Sequence, residues 1–225
     1  MDNTVLTDSA YASILELILS SEIQPGERIR EDLLAEKFGI SRTPVREAVN
    51  RLTQNGFVVN TKRKGIYCVE IAKEDLLNLL DLRTVLESLS FNKCIELAKT
   101  EDIESLRKLI SDFHYQYNYI LEHSNTPAKE IARLHNFEDV RFHVQIAGVS
   151  RSERLVKYIS EVENSLLLAR RRIYEKDEST RIILLSWEQH GQMLDAIEAK
   201  DDKNALDMLK SHLKLMRETQ VEAYE

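Results

Sequence analysis

The sequence predicts a mainly α protein in two parts: an N-terminal winged helix-turn-helix with a small β-hairpin over residues 1–71, then a C-terminal all-α antiparallel helical bundle over residues 72–225. Three observations predict it. Residues 31–65 hold two short helical patterns on either side of Gly39-Ile40-Ser41, then two β-rich runs around a basic loop. From residue 73 onward six helical patterns follow one another with short joins and no β-rich segment, as in an antiparallel bundle. The charge also reverses locally. The chain is −7 overall, yet residues 37–64 are +6, with Glu47 the only acid.

Residues 8–20 open on Asp8 or Ser9 as cap, and Tyr11, Ile14, Leu17 and Ile18 form an apolar stripe. Pro25-Gly26 then turns the chain. Leu33, Leu34, Ala35 and Phe38 recur at helical spacing, and Gly39 ends that helix. Ser41 is the expected N-cap of the next helix, with Pro44 in its first turn, where a missing N–H costs nothing. Val45, Ala48, Val49 and Leu52 form one stripe, which leaves Arg42, Thr43, Arg46 and Asn50 off it. Gly56 stops this helix. Phe57 to Asn60 and Ile66 to Val69 flank Lys62, Arg63, Lys64 and Gly65, a basic hairpin wing.

This arrangement suits double-stranded DNA. Exposed residues in the first turns of a helix read base edges, arginine is the commonest reader of guanine, and clustered cations match a phosphate backbone. A solvated charged face with a structural meander is the plainer alternative for any single helix.

The later helical patterns run over 73–100, 101–122, 128–148, 151–174, 179–199 and 203–222. The first of them is apolar on more than one side, with Leu76, Leu80, Leu82, Val85 and Leu89, and so should be covered by several neighbours. Residues 71–225 carry a net −6, which points their partners away from nucleic acid. No apolar run approaches membrane-spanning length and the N-terminus lacks a signal pattern, so a cytoplasmic location with no membrane partner is expected. Cys68 and Cys94 are too few for a disulfide scaffold and read as small buried apolar residues.

Asp139 and His143, four apart, share a helix face. His190 falls on the seam of Ile183, Trp187, Leu194 and Ile197, and it and His212 each lie 11 residues from the turn at Asp201. Folding that hairpin brings both rings to one height. Three imidazoles and a carboxylate form a ligand set for a divalent ion, most readily Zn2+ or Ni2+. Spacing alone leaves open the alternative that each histidine is satisfied separately. His114, His123 and His135 lack converging partners and fall to solvent or packing.

The words Pro25-Gly26-Glu27-Arg28-Ile29, Leu34-Ala35-Glu36, Ser41-Arg42-Thr43-Pro44-Val45-Arg46-Glu47-Ala48 and the wing-closing Gly65 resemble the winged-helix domain of the GntR family of bacterial transcription regulators. The resemblance implies a repressor or activator that binds a palindromic operator as a homodimer, with Arg42, Thr43 and Arg46 at bases or phosphates and Gly65 at the minor groove. Ser41, Asn50, Lys62, Arg63 and Lys64 complete the expected DNA-binding set. Asp32 stands where some relatives carry an arginine, so no contact is expected there.

Leu82-Arg83-Thr84-Val85-Leu86-Glu87, Asp139-Val140-Arg141-Phe142-His143, His190 with Leu194-Asp195-Ala196-Ile197, and His212-Leu213 are similar to the FCD effector domain of the FadR subfamily, in its six-helix VanR-like branch. That likeness implies a metal that helps hold a small carboxylate effector, with Arg83 as its charged partner. Ser152 replaces an asparagine common in relatives. The function expected is ligand-responsive transcription regulation rather than enzymatic work. Two rivals remain at this point: a metal-dependent hydrolase with an accessory DNA-binding domain, lacking an evident general base because Glu138 lies off the Asp139–His143 face, and a purely structural metal.

Overall fold

In the computed structural model, residues 3–61, 64–171 and 179–225 are described, and the chain divides into two compact units, Met1–Ala72 and Lys73–Glu225. In the first unit α1 (Asn3–Leu19) packs on α3 (Arg42–Gln54), burying Ala10, Ile14 and Ile18 and, from α3, Val45, Ala48, Val49 and Leu52. Each valine, leucine or isoleucine among them contributes roughly 1.5–3 kcal/mol by leaving water. The helix begins five residues before the expected Asp8, because the stripe runs on to Thr7, whose buried hydroxyl donates to Glu47 Oε2 at 2.8 Å.

The second helix, α2, spans Glu31–Phe38 and ends where Gly39 adopts φ 66, a left-handed conformation that glycine takes without steric penalty. Leu34 and Ala35 are its buried residues, while Leu33, expected in the apolar stripe, is exposed because so short a helix buries one narrow face.

Two strands form the wing, β2 (Val58–Thr61) and β3 (Gly65–Cys68), paired antiparallel with Val58 opposite Cys68 and Thr61 opposite Gly65. The sheet has a third strand, in a stretch where Pro25-Gly26 predicts only a turn: β1 (Arg28–Ile29) pairs with β3, Arg28 opposite Tyr67, in the order β1-β3-β2. Gly26 N–H donates to Cys68 O and Cys68 N–H to Glu27 O, which anchors the Pro25-Gly26 turn to the wing's root.

The second unit contains α4 (Lys73–Leu97), α5 (Thr100–His123), α6 (Pro127–Val149), α7 (Glu153–Arg170), α8 (Ser179–Glu198) and α9 (Asp202–Glu222). Neighbours in sequence pack as hairpins, α5 on α6, α6 on α7 and α8 on α9, while α4 lies against α6, α7 and α9. Arg217 on α9 pairs with Asp81 on α4 at 2.7 Å and Lys73 reaches Glu225, so these two helices run antiparallel. The core centres on Trp187, whose ring stacks on Phe113 with centroids 4.0 Å apart.

Contrary to what its apolar residues predict, the helix α4 is not covered on every side. Leu76, Leu80, Phe91 and Cys94 enter the core, but Leu82, Val85, Leu89 and Leu97 stand exposed because α4 has packed neighbours on its inner side only. Ser152, the other departure from the family pattern, caps α7 by accepting from Leu155 N–H.

Candidate nucleic-acid interface and metal centre

On α3 the buried and exposed faces separate as the periodicity requires. Pro44, Val45, Ala48, Val49 and Leu52 are buried, while Ser41, Arg42, Thr43, Arg46 and Asn50 are exposed. Ser41 holds the N-cap position in an extended conformation, yet its side chain makes no capping bond. No acid occupies the first turn, so the positive end of the helix dipole and the free N–H groups stand beside Arg42.

The ion pairs sort the cations of this unit. Lys37 is taken by Glu22 at 3.1 Å, Arg30 by Asp32 at 2.9 Å, and Arg51 by Asp8 with its guanidinium over the Tyr11 ring. Arg30 also holds the Asp32 carboxyl down, at about 2. Arg42, Arg46 and Lys64 have no ion-pair partner among the described residues and keep their full charge for a partner. Gly65 opens β3 at φ 116. Lys62 and Arg63 lie outside the described residues.

In the second unit α6 supplies Asp139 and His143, α8 supplies His190 and α9 supplies His212. All four are buried, and one ligand atom from each lies within 4.8 Å of the others. Asp139 Oδ1 is 3.7 Å from both His143 Nε2 and His190 Nε2.

Neighbours fix the ring orientations. His143 Nδ1–H donates to Glu87 Oε2 at 2.8 Å and His212 Nδ1–H to Gln189 Oε1 at 3.1 Å, so in both rings the bare Nε2 faces inward, as a metal ligand requires. The His190 ring stacks on Phe142 at 3.9 Å. Both nitrogens of His190 and Nε2 of His212 are buried without a hydrogen-bond partner, each a loss of about 1–3 kcal/mol, and a bound cation would recover it at Nε2 of each ring. Burial is the main cause that holds His212 down at about 3 and pushes His190 well below its ordinary range, and the crowding of imidazoles around each other, with Arg83 beside His212, adds to it. Burial opposes ionisation of the Asp139 carboxyl most strongly, but Arg170 and the neighbouring imidazoles together outweigh it and hold the group well below its own range. Neutral imidazoles and an ionised carboxylate are the protonation states that bind a divalent ion. The donor set fits one.

Around this cluster stands a buried ionic network. Arg83 Nε contacts Glu87 Oε1 at 2.5 Å and Glu163 Oε1 at 2.9 Å, and Nη2 lies 2.9 Å from His143 Nε2. Arg170 joins Asp139 Oδ2 at 2.8 Å to Glu163 Oε2 at 2.9 Å. Burial resists charging His143, but Glu87 and Asp139 together override it and lift that imidazole to about 9. Arg83, in contrast, directs an N–H at Nε2. The neutral tautomer, with Nδ1–H on Glu87 and Nε2 accepting from Arg83, avoids one donor facing another.

Sequence reasoning found Arg83 and missed Glu87, Glu163 and Arg170. A signal was present. Leu76, Leu80, Arg83, Glu87, Phe91 and Cys94 form one helical stripe, as do Ile159, Glu163, Leu166 and Arg170, so charges stand on seams that otherwise enter the core. Glu138 pairs instead with Arg141 at 2.6 Å. Of the other histidines, His135 is buried and accepts from Trp187 Nε1–H at 3.1 Å, while His114 and His123 bond backbone carbonyls.

Residues 6–68 match the model described as bacterial regulatory proteins, gntR family, and residues 78–215 match the FCD domain. The Nta operon transcriptional regulator of Aminobacter aminovorans is 32% identical over 194 residues, covering 86% of this chain and 84% of that protein. The gluconate operon transcriptional repressor of Bacillus subtilis is 30% identical over 191 residues, covering 82% and 72% respectively. Among solved structures, E. coli McbR/YncC superposes with a TM-score of 0.73 at 20% identity over 98% of this chain and 99% of that one, a likeness of fold.

Proposed function

This chain belongs to the gntR family of bacterial regulatory proteins and carries an FCD domain, and we propose that it is a regulator whose affinity for a palindromic operator, bound as a homodimer, is set by a small carboxylate held at a divalent metal in the α4–α9 bundle. The relatives are transcription regulators rather than enzymes, so the hydrolase reading is set aside. No helix among the described residues is long and apolar enough to cross a membrane.

The observation that carries the proposal is the buried Asp139, His143, His190 and His212 set with orphaned nitrogens inside it. When bound, a Zn2+ or Ni2+ ion would supply a Lewis-acidic anchor for one effector oxygen. Charge indicates the class of effector. Arg83 and Arg170 face Glu87, Glu163 and Asp139, leaving the network one negative charge in excess while the histidines are neutral. A divalent ion turns that into one positive charge. A single buried cationic excess favours a single carboxylate. The relative named for a gluconate operon is in keeping with that class.

Arg83 is the proposed carboxylate partner. A metal on His143 Nε2 needs the lone pair that Arg83 occupies, so loading the site frees that N–H for an effector oxygen.

Pairing of two copies is supported by the outer face of α4, where Leu82, Val85 and Leu89 are exposed and where Leu79, Leu82 and Leu86, with Tyr158 of α7, line an apolar groove of about 400 Å³. On α3, Arg42, Thr43, Arg46, Ser41 and Asn50, with Lys62, Arg63, Lys64 and Gly65 of the wing, are the proposed DNA contacts.

The test is metal analysis of purified protein followed by calorimetric titration with monocarboxylic and dicarboxylic hydroxy acids. We expect one ion per chain and acid binding that vanishes after chelation. Acid binding that survives complete metal removal would overturn the anchoring role, and metal without any acid binding would favour a structural ion.

A further inference from the structure

Arg28 is the side chain in the N-terminal unit that the proposed function leaves unused. It lies on β1 opposite Tyr67, on the sheet face away from the buried Ile29 and Cys68. It is exposed, and among the described residues it has neither an ion pair nor a hydrogen bond. The nearby acids are engaged elsewhere: Glu27 accepts from Gln24 N–H at 2.8 Å and Asp32 is held by Arg30.

Its guanidinium does not trail into solvent. A Cβ placed on Gly65 would meet Arg28 Nε at 3.0 Å and Nη2 at 3.3 Å, so the guanidinium is laid across Gly65, where the wing's tip loop rejoins the sheet. The φ of 116 is what requires glycine at position 65, and the missing Cβ leaves room for the guanidinium to lie there. The third strand has the same consequence. By pairing β1 to β3 it ties residue 28 to the wing, although 37 residues separate it from Gly65 in sequence. An arginine with all its donors free, fixed at the edge of a basic loop, suits a phosphate oxygen.

We infer that Arg28 is a further DNA-binding residue, contacting the phosphate backbone beside the groove that the wing enters. This rests on the reading of the N-terminal unit as a DNA-binding head. Because its contact is to phosphate, Arg28 contributes affinity without sequence preference.

The test compares full-length wild type with Arg28→Gln, Arg28→Lys, Arg30→Gln and Arg42→Ala. Fluorescence anisotropy is read on DNA from upstream of the protein's own gene and on a scrambled duplex, across a salt series. Arg28→Gln should weaken binding about tenfold on both duplexes and flatten the plot of log Kd against log salt by about one unit. Arg28→Lys should keep the slope, and Arg30→Gln, whose wild-type charge is engaged by Asp32, should stay within about twofold of wild type.

If Arg28→Gln matches wild type in Kd and slope while Arg42→Ala loses binding, the inference fails and the DNA-binding head stands. If neither variant changes binding, the reading of the head fails with it. Loss on the upstream DNA alone, at unchanged slope, would make the contact one to a base and overturn the phosphate assignment.

Discussion

Replacing Arg170 with methionine isolates the buried network. Arg170 is 1% exposed and bridges Asp139 at 2.8 Å to Glu163 at 2.9 Å. Methionine keeps most of the length and removes the charge. Glu163 is then left with Arg83 alone, and Asp139 with Arg83 at 4.0 Å and three neutral rings. Removing one partner of a buried pair costs about 3–5 kcal/mol, since the carboxylate left behind has no water to turn to. For a unit of this size ~1 kcal/mol moves Tm by about 2–4 °C, so the metal-free variant should melt roughly 6–20 °C below wild type. Burial already raises the Glu163 carboxyl's proton affinity, so Arg170→Met/Glu163→Gln should recover about half of the loss. The assay is thermal melting followed by circular dichroism in chelator. A fall of less than ~3 °C, or a double variant no more stable than the single one, would refute the reasoning.

Three further outcomes follow from the same geometry. Burial depresses His135 to about 4 from an ordinary value near 6.5, so the unfolded chain binds its proton first and stability falls as pH drops across that window, by about 3 kcal/mol in full. The difference in unfolding free energy between wild type and His135→Leu, measured from pH 7 to 4, should shrink by that amount, and a pH-independent difference would contradict it. Cys94 is buried, with its thiol pushed up to about 12, so a disulfide reagent at pH 8 should leave it unmodified until denaturant is added; reaction at the rate of a free thiol would contradict the packing around α4. Val85→Glu puts a charge on the exposed apolar face of α4 and should convert a dimer to monomer in sedimentation without lowering helix content, while a dimer unaffected by it would place the interface elsewhere.

Much of this molecule is legible in its sequence, for identifiable physical reasons. Stripes at helical spacing delimit α2, α3 and the six bundle helices closely within the described residues, because each buries one face against its neighbours; the expected end of α7 at 174 lies outside them. The ligand set could be read because hairpin folding makes residues equidistant from a turn meet, and the join at Asp201 is tight. The strand β1 could not be read: two residues carry no alternation, and what creates the strand is the unpaired edge of β3. The charges of Glu87, Glu163 and Arg170 escaped because a charged residue is taken for surface unless its position on an apolar stripe is weighed first. The exposed leucines of α4 mark the opposite error. Apolar character around a helix raises the expectation of neighbours on every side, but in this chain they pack against one side of α4 only.

The most direct measurement is the affinity of the full-length protein for DNA upstream of its own gene, read with and without a hydroxy monocarboxylate, in metal-loaded protein and after chelation. The account predicts that the acid shifts Kd at least tenfold in the loaded protein, and that the shift disappears on chelation and in His190→Ala/His212→Ala. An acid-induced shift of equal size in chelated protein, or none in either form, would contradict it.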